Sequence, residues 1–155
     1  MKSVLFVCLG NICRSPLGEG ILRYKAQQKG LNLKIDSAGT ESFHAGEHPD
    51  RRSVKVAKEN GIDISKQIAR QISGEDFDKF DLILVADAQV YNEVMRFARN
   101  ESDKKKVDFM MNLVTPGLNI GVPDPYYGGQ DGFEKVFDML DKACEALLKD
   151  TKGYQ

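Results

Sequence analysis

Cys8 and Arg14 are separated by five residues in the run Val4-Leu5-Phe6-Val7-Cys8-Leu9-Gly10-Asn11-Ile12-Cys13-Arg14-Ser15-Pro16. A thiol and a guanidinium at that spacing are the parts of an anion site with a nucleophile at its floor. Gly10 and Asn11 tolerate unusual backbone angles. Ser15-Pro16 signals a helix start, with proline at the first helical position. A strand, a tight loop and a helix start turn the backbone N–H groups from Leu9 to Arg14 toward an anion. Arg14 adds a bidentate, charge-assisted pair that lysine cannot reproduce. The same positive field favours a thiolate on Cys8, and the Ser15 hydroxyl can donate a further hydrogen bond to the sulfur. With a phosphate monoester in the loop, Cys8 is placed to attack phosphorus in line and form a phosphocysteine intermediate.

A leaving alkoxide or phenoxide needs a proton from the opposite side, and Asp124 is the candidate donor. It sits in the long loop Thr115 to Asp131, within Val122-Pro123-Asp124-Pro125-Tyr126-Tyr127-Gly128-Gly129. Pro125 restricts Asp124 to an extended conformation that aims its side chain. The same carboxylate can then activate water against the thiophosphate. Asp-Pro is also a common turn dipeptide, so a simple turn start is the alternative. Positioning and charge stabilisation carry phosphoryl transfer of this kind. No metal-ligand cluster is visible in the sequence, and the scheme calls for neither metal nor cofactor.

These groups can meet only if the fold brings both loops to one edge. Val4 to Leu9 reads as a buried strand, and residues 16 to about 29 as a helix with Leu17, Ile21 and Tyr24 on one face. Gly18 and Gly20 are odd there, explained by a close approach to the sheet or by drift. Leu33 to Ala38 suits a second strand, followed by a loop from Gly39 to Pro49 holding Phe43, His44 and His48. Arg51 to Asn60 fits a helix, and Ser73 to Asp76 a capped short one. Phe80 to Ala86 is nearly continuous in apolar residues, as a doubly covered parallel strand requires. Asp87 can cap the next helix, with Val90, Val94 and Phe97 inward. Lys104 to Lys106 reads as a solvated connector, and Val107 to Leu113 as a fourth strand. Phe133, Val136, Phe137, Leu140, Ala143, Cys144 and Leu147 form one stripe on a final helix. Strands alternating with helices imply a four-stranded parallel sheet sandwiched by helices. Ligands in such sheets bind beyond the carboxyl ends of the strands, where the Cys8 and Asp124 loops both open.

A length of 155 residues predicts one domain over 1–155. A net charge of -1 argues against general phosphate neutralisation of a nucleic acid. No apolar segment approaches the ~20 residues of a membrane span, and the N-terminal apolar run is too short for a secretory core. Three cysteines, an odd number without metal-site spacing, predict a reducing, cytoplasmic setting.

The chain resembles the low-molecular-weight protein tyrosine phosphatases over essentially its whole length. The likeness rests on Val7 to Pro16, on Asp36-Ser37-Ala38-Gly39-Thr40 and on Asp124-Pro125-Tyr126. It implies a flavodoxin-like three-layer α/β sandwich and hydrolysis of phosphotyrosine and small aryl phosphates, releasing inorganic phosphate. It further implies Cys8 as nucleophile, Arg14 as phosphate clamp and Asp124 as general acid. Leu9, Gly10, Asn11, Ile12, Cys13 and Ser15 would surround the phosphate, with Asn11 holding the loop, Ser15 tuning the thiolate and Ser37 supporting Asn11. Phe43, Tyr126 and Tyr127 occupy the places of a phenol-sized slot. Ile12 resembles tyrosine-directed members, since phosphoarginine-directed relatives carry a small polar residue there. Asn60 departs from a histidine common in eukaryotic members, as Gly18 and Gly20 depart from alanines and Ala86 from a methionine. The partners implied are phosphotyrosine-containing proteins, with no nucleic acid and no membrane, for a monomer or weak dimer.

Other readings have specific counterparts in the residues. Cys13 is either a packing residue or, as the resemblance implies, a disulfide partner that guards Cys8 from over-oxidation. Cys144, on an apolar helical stripe, reads as structural. Tyr126 and Tyr127 can be packing residues or phosphorylation targets. A thiol-dependent arsenate reductase would need a further close cysteine pair downstream, where only Cys144 follows. A non-hydrolytic phosphocysteine carrier would need no Asp124.

Overall fold

A central parallel sheet, with strands in the order Lys34–Gly39, Ser3–Cys8, Leu82–Val85 and Val107–Phe109, organises the chain, with helices on both faces. The computed structural model describes residues 1–149. The strands are β1 (Ser3–Cys8), β2 (Lys34–Gly39), β3 (Leu82–Val85) and β4 (Val107–Phe109). The helices are α1 (Arg14–Gln28), α2 (Arg51–Glu59), α3 (Asp76–Lys79), α4 (Ala88–Phe97), α5 (Glu101–Lys104) and α6 (Gln130–Lys149).

Every residue of β1 is buried because both sheet faces are covered. Val4, Phe6 and Cys8 point with Leu84 into the core formed with α1, α2 and α6, including Leu17, Val56, Phe133 and Leu140. Leu5 and Val7 point with Ile83 and Val85 to the other face, among Phe77, Val90 and Val94. The period-two alternation of a strand thus feeds two hydrophobic cores. From β1 the chain steps to β2 on one side and later to β3 on the other. The end of β1 is therefore a topological switch point, where loops diverge and leave a crevice.

Several boundaries differ from the sequence expectation. Helix α1 begins at Arg14, two residues before Pro16, and proline is accommodated because first-turn N–H groups have no intrahelical acceptor. Leu22 and Ala26 are buried where Tyr24 is 41% exposed. Strand β4 is only three residues long, and Met110–Leu113 form a 3-10 turn instead of continuing it. There Asn112 donates to Asp108 at 2.6 Å and to Asn119 at 2.8 Å, closing the backbone with side-chain bonds rather than a ladder. Strand β3 covers only the middle of the apolar run, with Phe80 and Ala86 buried outside it. Lys104 belongs to α5, whose cap is Asn100, and Lys106 donates to the Phe77 carbonyl. The two glycines of α1 mark close approaches. A Cβ at Gly18 would stand 2.5 Å from the Phe6 ring, and one at Gly20 2.4 Å from Ile64.

Candidate active site

The loop from Leu9 to Cys13 is built by turning its carbonyls outward. Cys8 O accepts from Thr40 N at 3.0 Å, Leu9 O from Glu41 N at 2.9 Å, and Ile12 O from Asp50 N at 2.8 Å. Cys13 O accepts from Ser53 Oγ at 3.2 Å. Among the described residues no protein acceptor takes the N–H groups of Leu9 to Cys13. Paired carbonyls on one side and open amides on the other make an anion nest at the start of α1.

Asn11 is the pivot of this loop. Its φ of 59° lies in the left-handed region, which asparagine tolerates better than most residues. Its side chain points away from the cleft. Asn11 Oδ1 accepts from Arg70 N at 3.0 Å, and that backbone donor fixes the orientation of the amide. Nδ2 then donates to Ser15 Oγ at 2.8 Å and to Ser37 Oγ at 2.9 Å. Ser37 Oγ in turn donates to Oε1 of buried Glu19 at 2.6 Å. Ser15, already accepting from Asn11, directs its hydroxyl proton to Cys8 Sγ at 2.9 Å, and Ser15 N reaches the same sulfur at 3.4 Å. Two donors, the Ser15 hydroxyl and the Ser15 N–H, therefore converge on the Cys8 sulfur.

Arg14 is almost wholly buried. Its Nη1 donates to Asp87 Oδ2 at 2.6 Å and to the Val122 carbonyl at 2.8 Å. Nη2 lies 3.9 Å from Asp124 Oδ2. Burial pulls the guanidinium pKa down, but the neighbouring Cys8, Asp87 and Asp124 outweigh it and hold Arg14 even more firmly protonated than usual. Asp87 also caps α4 by accepting from Val90 N at 2.9 Å. One carboxylate thus aims the arginine and begins a helix.

Asp124 Oδ1 accepts from Tyr126 N at 3.1 Å, an Asx turn that leaves Oδ2 toward Arg14. Asp124 thus starts a turn and, in the same conformation, faces Arg14 with its other oxygen. Around this point a cleft of about 290 Å³ is lined by Cys8, Leu9, Gly10, Ile12, Cys13 and Arg14. Its rim and facing wall include Phe43, Asp124, Tyr126 and Tyr127. Phe43 and Tyr127 are 80% and 92% exposed, so their rings are open to an incoming aryl group. Tyr126 and Tyr127 meet edge to face at 5.1 Å.

The cleft thus gathers all the expected lining residues except Asn11 and Ser15. Their side chains, with that of Ser37, form the brace behind the loop. Glu41 and His44 also line the cleft, and His44 pairs with Glu47 at 3.1 Å. His48 bonds the Gln67 carbonyl instead. Asp87, Glu19 and Arg70 were missed as supports. A buried arginine in need of a carboxylate was the available signal for Asp87.

The three cysteines are free thiols. Burial, then the neighbouring charge of Cys8, pushes the Cys13 thiol far up, so it stays protonated beside Cys8. Burial does the same to Cys144, which lies in the core and donates to the Gly18 carbonyl of α1. Asn60 donates to the Val56 carbonyl at the end of α2 and takes no part in bracing the loop. Among the described residues no group of three His, Cys, Asp or Glu is arranged to hold a metal ion, and no helix is long and apolar enough to cross a membrane.

Comparison with known proteins follows the same lines. The family model described as low molecular weight phosphotyrosine protein phosphatase matches residues 3–154. A protein of that name from Schizosaccharomyces pombe is 40% identical over 94% of both chains. The low molecular weight protein-tyrosine-phosphatase YfkJ of Bacillus subtilis is 41% identical, covering 96% of this chain and 94% of its own. A crystal structure of a protein tyrosine phosphatase from Entamoeba histolytica, with Hepes in its active site, superposes with a TM-score of 0.91. It is 39% identical and covers 99% of this chain and 98% of its own.

Proposed function

The chain belongs to the low molecular weight phosphotyrosine protein phosphatases, and from that premise we propose that it hydrolyses phosphotyrosine and small aryl phosphates through a phosphocysteine on Cys8. The observation that carries this reading is the convergence on one cleft of Cys8 with two sulfur donors, Arg14, and the Asp124 carboxylate facing them.

The phosphate dianion binds to the open amides of the loop and to Arg14, with its aryl group between Phe43, Tyr126 and Tyr127. The Cys8 thiolate forms the S–P bond as the P–O bond to the phenol breaks. Asp124 gives its proton to the departing oxygen, so phenol leaves neutral. Asp124, now a carboxylate, takes a proton from water as its oxygen attacks phosphorus. The S–P bond breaks, Cys8 returns to thiolate, and inorganic phosphate departs. Ser15 Oγ–H stabilises the sulfur as attacking and leaving group, and Arg14 and the amides bear the charge spread over the equatorial oxygens.

Ile12, apolar and beside the nucleophile, supports aryl over guanidinium phosphates. We place the enzyme in a reducing cytoplasmic compartment, as a monomer or weak dimer acting on phosphotyrosine-containing proteins, in keeping with three free cysteines. Cys13 is assigned as the guard of Cys8. Peroxide converts the Cys8 thiolate to a sulfenic acid, and the Cys13 thiol displaces water from it to close a disulfide.

The test is turnover of p-nitrophenyl phosphate and a phosphotyrosine peptide in the presence of a chelator. Activity is expected to persist, to vanish in Cys8→Ser, and to fall about 10²–10⁴-fold in Asp124→Ala while phosphate still binds. Faster turnover of phosphoarginine than of phosphotyrosine, or normal activity in Cys8→Ser, would overturn the reading.

A further inference from the structure

Arg52, at the start of α2, does more than pair with a neighbour. Its Nε and Nη2 each contact Asp50 at 3.0 Å, the helix cap, which would pass for an ordinary surface ion pair. The remaining donors go elsewhere. Nη2 donates to the Tyr126 carbonyl at 2.9 Å, and Nη1 to the Gly128 carbonyl at 3.0 Å. The guanidinium also lies 5.6 Å from the Tyr126 ring centroid and 4.5 Å from that of Phe133. Gln130 adds a return bond to the Arg52 carbonyl at 3.1 Å. The segment from Asp124 to Gly129 has no helix or strand of its own. Its place relative to the phosphate loop therefore depends on ties of this kind.

The other end of the tie is equally defined. Asp50 N donates to the Ile12 carbonyl at 2.8 Å, and Ser53 Oγ to the Cys13 carbonyl at 3.2 Å. The first turn of α2 is thus bonded to the outward face of the phosphate loop. Among the described residues, the one hydrogen bond to the Asp124 carboxylate comes from Tyr126 N. Tyr126 presents its N–H to Asp124 and its carbonyl to Arg52. Any drift of that residue turns the carboxylate away from the leaving group.

We propose that Arg52 is a positioning residue that sets the aim of Asp124, by referencing the acid loop to the phosphate loop through Tyr126 and Gly128. The proposal rests on Asp124 being the general acid. A group that acts only through a proton donor matters most where the leaving group most needs the proton. Phenyl phosphate, with a poor leaving group, should feel its loss, whereas p-nitrophenyl phosphate should feel it little.

The experiment compares Arg52→Ala and Arg52→Lys with the parent, each also combined with Asp124→Asn. It measures kcat/KM on both substrates and the inhibition constant of inorganic phosphate. Arg52→Ala is expected to lower kcat/KM about tenfold on phenyl phosphate but less than about threefold on p-nitrophenyl phosphate. The phosphate constant should stay within about twofold, because the anion nest is intact. Arg52→Lys, able to reach one carbonyl but not hold two, should fall between. In the Asp124→Asn background, removing Arg52 should cost nothing further, since the group it aims is gone. Equal losses on both substrates, a shifted phosphate constant, or an undiminished Arg52 effect in the double variant would assign Arg52 to general support and overturn the proposal. If Asp124→Asn alone leaves phenyl phosphate turnover unchanged, the premise falls and the proposal with it. Thermal melts of each variant separate these results from unfolding.

Discussion

Replacing Asn11 by glycine and by alanine separates the two things this residue does. Glycine keeps the left-handed backbone at a φ of 59° and deletes only the side-chain bonds to Ser15, Ser37 and Arg70 N. Alanine deletes the same bonds and must be forced into that conformation. Three hydrogen bonds between neutral groups contribute about 3 kcal/mol together. Glycine adds about 0.5–1 kcal/mol through the freer unfolded chain, and left-handed alanine adds about 1–2 kcal/mol of backbone strain. Ser15 and Ser37 keep their bonds to Cys8 and Glu19, so Arg70 N is the one partner left stranded. The expected losses are about 3–4 kcal/mol for Asn11→Gly and about 4–5 kcal/mol for Asn11→Ala. At about 2–4 °C per kcal/mol for a chain of this size, Asn11→Gly should melt about 6–16 °C and Asn11→Ala about 8–20 °C below the parent. Urea unfolding gives the free energies directly. Turnover should fall about 100-fold in both variants, because the loop amides lose their alignment. A glycine variant within about 1 kcal/mol of the parent, with normal turnover, would refute the idea that this brace holds the loop.

Asp87→Asn retains an oxygen to cap Val90 but loses the 2.6 Å ion pair to Arg14. It should cost about 2 kcal/mol in urea unfolding and weaken inorganic phosphate inhibition, whereas unchanged phosphate affinity would separate Asp87 from the clamp. After mild peroxide, peptide mass spectrometry should find Cys8 joined to Cys13, and Cys13→Ala should lose activity irreversibly; over-oxidised Cys8 beside reduced Cys13 would contradict the guard. The carboxyls of Asp50, held by Arg52, of Asp78 and Asp103, held by Arg99, and of Glu145, held by Lys25, lie below their ordinary range. Their stabilisation is fully present above the unfolded carboxylate values near about pH 4 and is lost as pH falls through the lowered folded values. The melting temperature should therefore drop steeply below about pH 4; a rise on acidification would be incompatible with these pairings.

The sheet was legible because its central strands are buried on both faces, and unbroken apolar runs such as Leu82 to Val85 say so without help from neighbours. The cleft residues near Cys8 were legible because a cysteine, an arginine and a helix start are local in sequence. What escaped was non-local. Asp87 looked like a helix cap and is one, but its second bond reaches Arg14, 73 residues away. Glu19 is buried as the acceptor at the end of the Asn11–Ser37 chain. Arg52 had no local pattern, because its partners at Tyr126 and Gly128 are backbone carbonyls, which any residue supplies. The early end of β4 turned on Asn112, whose bonds to Asp108 and Asn119 substitute for a ladder.

In the proposed mechanism Cys8 carries the phosphoryl group between two half-reactions. Asp124→Ala slows the water attack while p-nitrophenolate can still depart without a proton, so the intermediate should accumulate. Mixing that variant with p-nitrophenyl phosphate, quenching in denaturant within the first turnover and measuring intact mass should reveal one added phosphoryl group. Peptide mapping should place it on Cys8, with no adduct in Cys8→Ser. Turnover without any phosphorylated enzyme, or a phosphoryl group found on another residue, would contradict the account.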